Sequence, residues 1–214
     1  MDGSARGGEL AGSERINAFR HFSQTNDYVA NALRDLIVEL TPPDQALLID
    51  AFCGAGFFAK ALLDKFERII GIDWDRFAIA AAKENATAKE TYIAGDVEAE
   101  INDILVGAVH RTARERQSGS DRLGSIAPTF NRDKTTLIVD PPATGLSTGI
   151  RATIIDRVPA TLIYVSCNPS TLARDLAEFQ SRFKIESVTP LDMFPQTAEI
   201  EVVAHLQGIN DLTI

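Results

Sequence analysis

At 214 residues, with 45% hydrophobic and 24% charged side chains, the chain can build one full-sized core and has the composition of an ordinary globular domain. Its formal charge of −9 argues against a broad basic surface that grips nucleic acid by counterion release, so such a partner needs a local patch or a second module. No apolar run is long enough to cross a bilayer, and the glycine-rich start lacks a signal core; residues 1–14 read as a disordered tail on a cytoplasmic protein. The two cysteines, Cys53 and Cys167, lack the paired spacing of a zinc site or a disulfide framework, and no metal is expected.

In chain order, Tyr28, Val29, Ala32, Leu33, Leu36, Ile37 and Leu40 recur at three- and four-residue intervals, which predicts an amphipathic helix over 25–40, stopped by Pro42-Pro43. Thr25 or Asn26 ahead of it reads as a cap. Residues 46–52 form a buried strand that runs into Cys53-Gly54-Ala55-Gly56-Phe57, and residues 59–66 read as a helix. A strand over 68–73 and a helix over 76–88 follow, then a strand over 91–95 and a helix over 97–109. Strand, glycine turn, helix and a second strand ending in an acid make the nucleotide-binding half of a doubly wound sheet. Gly54 and Gly56 let the backbone approach a ligand, and Asp73 is placed for two ribose hydroxyls.

The glycine turn by itself also suits an NAD-binding fold. Two acids favour S-adenosylmethionine instead: Asp50 inside the first strand's end, where it can meet a cationic methionine group, and Asp96 after the third strand, suited to an adenine amino group. Residues 110–134 are rich in Arg, Ser, Gly and Asp, include Arg111, Arg114, Arg116 and Arg122, and read as a mobile insertion. Strands over 135–140 and 161–166, helices over 149–158 and 170–181, and a final pair, 183–191 and 199–206, complete the chain. The final pair predicts an antiparallel hairpin on a parallel sheet. The expected fold is therefore α/β, a doubly wound and mostly parallel seven-stranded sheet, the Rossmann-like class I methyltransferase architecture.

The fourth and fifth strands end at Asp140-Pro141-Pro142 and Ser166-Cys167-Asn168-Pro169, so a carboxylate and a thiol should stand side by side at the sheet's carboxyl rim. Uracil C5 is too weak a nucleophile to take a methyl group directly. A thiolate adding at C6 activates it, and a base must then remove the C5 proton. Cys167, Glu201 and Asp140 can fill the roles of nucleophile, base and pyrimidine-edge reader.

Four segments carry a resemblance. Phe22-Ser23-Gln24-Thr25-Asn26, Asp140-Pro141-Pro142-Ala143-Thr144-Gly145-Leu146, Ser166-Cys167-Asn168-Pro169 with Ala173-Arg174-Asp175, and Asp192-Met193-Phe194-Pro195-Gln196-Thr197 through Glu201 resemble, in order, the signature motifs of the RNA 5-methyluridine methyltransferases. The resemblance implies Cys167 as nucleophile, Glu201 as base, and Gln24, Phe52, Phe57, Asp73 and Asp140 around S-adenosylmethionine, with tRNA or rRNA as substrate. Departures are Ala143 where the family has Arg, Glu199 where it has His, and Phe57 where many members have Asn or Thr. Members generally carry an RNA-binding barrel and a small central domain, for which the residues before Arg15 are too few. RNA is then expected to be held with help from a separate module. The alternatives are a methyltransferase for another acceptor, or a cofactor- or RNA-binding module that has lost catalysis.

Overall fold

The computed structural model describes residues 27–106, 130–192 and 200–209. Gln24, the expected capping residues Thr25 and Asn26, the expected 1–14 tail and most of the expected 110–134 insertion lie outside them. Among the described residues no helix is long and apolar enough to cross a membrane.

The elements are α1 (Asp27–Leu40), β1 (Gln45–Ala51), α2 (Phe57–Ala61), β2 (Phe66–Asp73), α3 (Arg76–Glu84), β3 (Glu90–Ala94), α4 (Val97–Leu105), β4 (Thr135–Val139), α5 (Thr148–Arg157), β5 (Thr161–Ser166), α6 (Pro169–Phe179), β6 (Phe183–Leu191) and β7 (Glu201–Gly208). They build the expected seven-stranded sheet, in the order β3-β2-β1-β4-β5-β7-β6. Neighbours from β3 through β5 are parallel, and β7 runs antiparallel to both β5 and β6. The terminal hairpin thus inserts its last strand between β5 and β6.

Side chains alternate across each strand, and both faces are covered. Leu47, Ile49 and Ala51 of β1 and Leu162 and Tyr164 of β5 pack on α4, α5 and α6 through Ile101, Ile154, Leu172 and Phe179. Leu48, Ile163 and Val203 face the other way, onto Leu33 and Ile37 of α1, Phe58 of α2 and Ile79 of α3. Four helices begin at polar caps that the sequence supplies immediately after a strand or turn: Asp75, Asp96, Ser147 and Asn168 each accept backbone N–H bonds in the first turn. Pro169 occupies the first turn of α6, where its missing N–H costs nothing.

One predicted helix is corrected. In place of a helix over 59–66, α2 covers only Phe57–Ala61, a 3-10 turn follows at Leu63–Lys65, and Phe66 opens β2. Phe66 pairs with Gln45 of β1 and is buried, so sheet pairing captures a residue whose local periodicity read as helical. The ends of α3 and α4 also fall short of their predicted limits, at Glu84 and Leu105.

Beneath the glycine turn lies Tyr92 of β3, buried, with its hydroxyl donating to Glu90 at 2.6 Å. It fits only because Gly71 lacks a side chain: a Cβ there would meet the Tyr92 ring at 2.5 Å and Cys53 Sγ at 3.0 Å. Gly71→Ala is expected to cost about 1–3 kcal/mol through overpacking, seen as a lower midpoint in thermal or urea unfolding. A midpoint equal to that of the unsubstituted protein would mean that the ring moves freely.

Candidate active site

Parallel strands point all their carboxyl ends to one rim, and the order reverses between β1 and β4, where a crevice opens in sheets of this kind. Asp50, Phe52, Asp73, Asp96, Asp140 and Cys167 all fall at that rim, at or just past the ends of β1, β2, β3, β4 and β5. Because β7 runs backwards, its first residue, Glu201, arrives at the same rim. The β5–β7 register ends with Ser166 opposite Val202, so Cys167 and Glu201, the next residue on each side, come close enough for the Glu201 charge to act on the thiol.

The turn after β1 is built for close approach. Phe52 takes φ 65°, Gly54 52° and Gly56 82°, left-handed values that burden a side chain such as that of Phe52. Phe52 and Cys53 both donate their N–H groups to Ile72 O, at 2.8 and 3.1 Å. A Cβ on Gly54 would meet nothing within 4 Å, whereas one on Gly56 would lie 2.6 Å from the Tyr92 hydroxyl. Gly54 therefore faces open space, and Gly56 is pressed onto the protein. Asp73 braces the turn, accepting from Gly54 N–H and Asp75 N–H at 2.8 Å each. Asp96 is exposed and caps α4 through the N–H of Ala99 at 2.9 Å. Phe57, 39% exposed, opens α2 and packs edge-on to Phe58.

Asp50, Asp73, Asp140 and Glu201 crowd together at this rim. Asp50 is fully buried; Oδ2 accepts from Ala59 N–H at 3.0 Å, and Oδ1 has no partner among the described residues. Burial, with the charge of Asp73, raises its carboxyl to about 7. Burial, with the charges of Glu201, Asp50 and Asp73, raises Asp140 to about 8. Burial also raises Glu201, whose Oε2 has no partner either. Cys167 is exposed, and its thiol is pushed above the ordinary range by partial burial and by Glu201 and Asp140. Cys53 is buried and is pushed up by burial and by Asp50 and Asp73. A centre of buried, raised carboxyls, two of them with an orphaned oxygen, suits a cationic ligand, whose charge would favour their ionised forms. Among the described residues no group of three His, Cys, Asp or Glu is arranged to hold a metal ion.

Sequence reading assigned no role to the residues that carry the rim from below. Asp175 on α6 is fully buried and accepts from Leu146 N–H at 2.9 Å, Tyr164 O–H at 2.8 Å and Arg174 Nε at 2.8 Å, with Arg151 3.3 Å away. In the sequence Asp175 stands in the Ala173-Arg174-Asp175 motif, inside an otherwise amphipathic helix, with nothing local to show what it holds. Trp74, 74% exposed beside Asp73, and the buried Tyr92 were also passed over.

The sequence profile of the tRNA (uracil-5-)-methyltransferase family matches residues 14–208. A Bacillus cereus protein described as an uncharacterized RNA methyltransferase is 35% identical over 214 residues, covering 94% of this chain and 42% of its own length. One from Leptospira interrogans is 29% identical over 187 residues, covering 86% and 41%. The chain thus spans about two-fifths of the length of these relatives. Among solved structures, the Pyrococcus abyssi tRNA (uracil-54, C5)-methyltransferase in complex with S-adenosyl-L-homocysteine shares 27% identity at a TM-score of 0.61, over 87% of this chain and 40% of that one. The N-methyltransferase NodS of Bradyrhizobium japonicum, at 14% identity and a TM-score of 0.58, shares the fold. The chain belongs to the tRNA (uracil-5-)-methyltransferase family.

Proposed function

We propose that this chain is the catalytic part of an S-adenosylmethionine-dependent methyltransferase acting on C5 of uridine in structured RNA, tRNA or rRNA, through a covalent bond between Cys167 and C6. The observation that carries the reading is the meeting of Cys167, Glu201 and Asp140 at one rim, where both carboxyls act on the thiol and the β5–β7 register ends one residue short of Cys167 and Glu201.

The cofactor fits the acids. Asp50, with its orphaned oxygen, and Asp140 answer a positive ligand; Gly54 leaves room, Asp73 retains carboxylate lone pairs for hydroxyls, and Phe52, Phe57, Gly56, Asp96 and Gln24 complete the proposed set. When bound, S-adenosylmethionine supplies an electrophilic methyl group on a sulfonium. Cys167 adds its sulfur to C6, and the C5=C6 electron pair becomes available at C5. Once C5 carries its methyl group, Glu201 takes the C5 proton, the C5=C6 bond re-forms and the sulfur leaves C6. Burial suits Glu201 for this, because a raised carboxyl is the stronger base. A thiolate from a raised thiol is likewise the stronger nucleophile, although less of it is present at neutral pH. The base must leave its stack for both faces of C5–C6 to be reached. With a net charge of −9 and an acidic rim, affinity for the phosphate backbone is assigned to a separate RNA-binding module.

The direct test is a 5-fluorouridine-substituted tRNA incubated with S-adenosylmethionine and run on a denaturing gel. Fluorine cannot leave as a proton, so a protein–RNA adduct accumulates; it vanishes with Cys167→Ala and persists with Glu201→Gln. An adduct that survives Cys167→Ala refutes the assignment. The thiol itself is checked by iodoacetamide at pH 8: Cys167 reacts before the buried Cys53, and Glu201→Gln or Asp140→Asn speeds the reaction, since removing a negative neighbour lowers the thiol pKa. Slower alkylation in those variants would contradict the electrostatics. At pH 7.5 Asp50 and Asp140 are partly protonated, and a bound cation lowers both. S-adenosylmethionine should therefore release protons on binding, and more of them than the uncharged sulfur of S-adenosylhomocysteine does. Calorimetry in two buffers of different ionisation enthalpy measures the difference; equal release would mean that these acids do not face the sulfonium.

A further inference from the structure

The loop after Asp140 and the helix after Cys167 are fastened to each other by one face of α6. Asn168 donates Nδ2 to Ala143 O at 3.0 Å, and Thr171 offers its hydroxyl to the same carbonyl at 3.1 Å. Arg174 donates to Thr144 O at 3.2 Å and Leu146 O at 3.3 Å. Asp175 takes the N–H of Leu146 and is itself held by Tyr164 of β5 and by Arg151 of α5. The spacing of 168, 171 and 174–175 puts these groups on one helical face. Gly145, at φ 75°, lets the loop come this close: a Cβ there would meet Arg174 at 2.6 Å and Asp175 at 2.8 Å. Both reactive residues leave their strands at the ends of this fastening, Asp140 three residues before Ala143 and Cys167 directly before Asn168.

Resting on the adduct chemistry proposed above, we infer that Thr171 and Asp175 are positioning residues for methyl transfer: they grip the backbone of residues 143–146 and so set the separation between Cys167 and Asp140. Neither touches the reacting atoms. Where the family's arginine is absent at position 143, the carbonyl of Ala143 is the point that α6 holds.

The variants are Thr171→Val, which removes the hydroxyl from a partly exposed helix position, Thr171→Ser, which keeps it, and Asp175→Asn. Single-turnover adduct formation on 5-fluorouridine tRNA should slow about tenfold in Thr171→Val and about a hundredfold in Asp175→Asn, and Thr171→Ser should match the unsubstituted protein. In steady state on ordinary tRNA the loss should fall on kcat, with KM for RNA held. Hydrogen exchange gives a readout that needs no activity: the Leu146 amide should exchange about tenfold faster in Thr171→Val, while β4 and β5 amides stay as they are. A Thr171→Val protein with unchanged kcat, a loss confined to KM, or a Thr171→Ser protein as slow as Thr171→Val would overturn the inference. If the unsubstituted protein, supplied with an RNA-binding module, forms no adduct on tRNA or rRNA, the proposed function fails and exchange alone decides: faster Leu146 exchange supports the grip, and unchanged exchange in both Thr171→Val and Asp175→Asn refutes it.

Discussion

Main-chain register is the constraint on which the site depends. Parallel pairing from β3 to β5 forces the strand ends onto one rim, and the single reversed strand, β7, brings a strand beginning to that rim. Cys167 and Glu201 are 34 positions apart in the chain, yet the antiparallel pairing of Ser166 with Val202, the residues next to them, brings them to one place. A slip of one residue in β7 would turn Glu201 to the other face, because side-chain direction alternates with every residue. The buried alternation of Val202, Val203 and Ala204 between the two cores holds that register in place.

The rim is electrostatically costly in the free protein. Asp50, Asp140 and Glu201 are all raised, and burial is the leading cause for each, with neighbouring acids adding to it for Asp50 and Asp140. A fold selected for stability alone would have paired these groups or replaced them with apolar side chains. Asp175 on α6 shows the contrast: as buried as Asp50, it is met by two arginines, a tyrosine hydroxyl and a backbone N–H. One carboxylate is satisfied within the protein and holds it together. Asp50 and Glu201 each keep one oxygen without a partner among the described residues, as expected of groups whose partner arrives with a ligand.

Much of this architecture could be read in the sequence because each strand is a short apolar run with an acid, glycine or proline immediately behind it. The strands over 161–166 and 183–191 were placed to the residue, and the others within two residues at each end. The helix over 59–66 was misread because Phe66 has the right spacing for a helical face, and only pairing with β1 shows that it belongs to the sheet. The closeness of Asp140 and Cys167 followed from the expected neighbouring of the fourth and fifth strands. Glu201 had a weaker local signal, an acid in an alternating strand, and drew its role mainly from motif order.

The element order, the strand-end acids, the glycine turn, the two prolines behind Asp140 and the family to which the chain belongs are legible in the residues alone, because these are local patterns or ordered motifs that one dimension records. Only the tertiary structure decided that β7 slots between β5 and β6, that Tyr92 fills the space left by Gly56 and Gly71, and that Asp175 joins α6 to the loop behind Asp140. Those facts depend on which surfaces meet across long stretches of chain. Burial, and with it the raised carboxyls of the rim, exists only after the two helical layers close over the sheet.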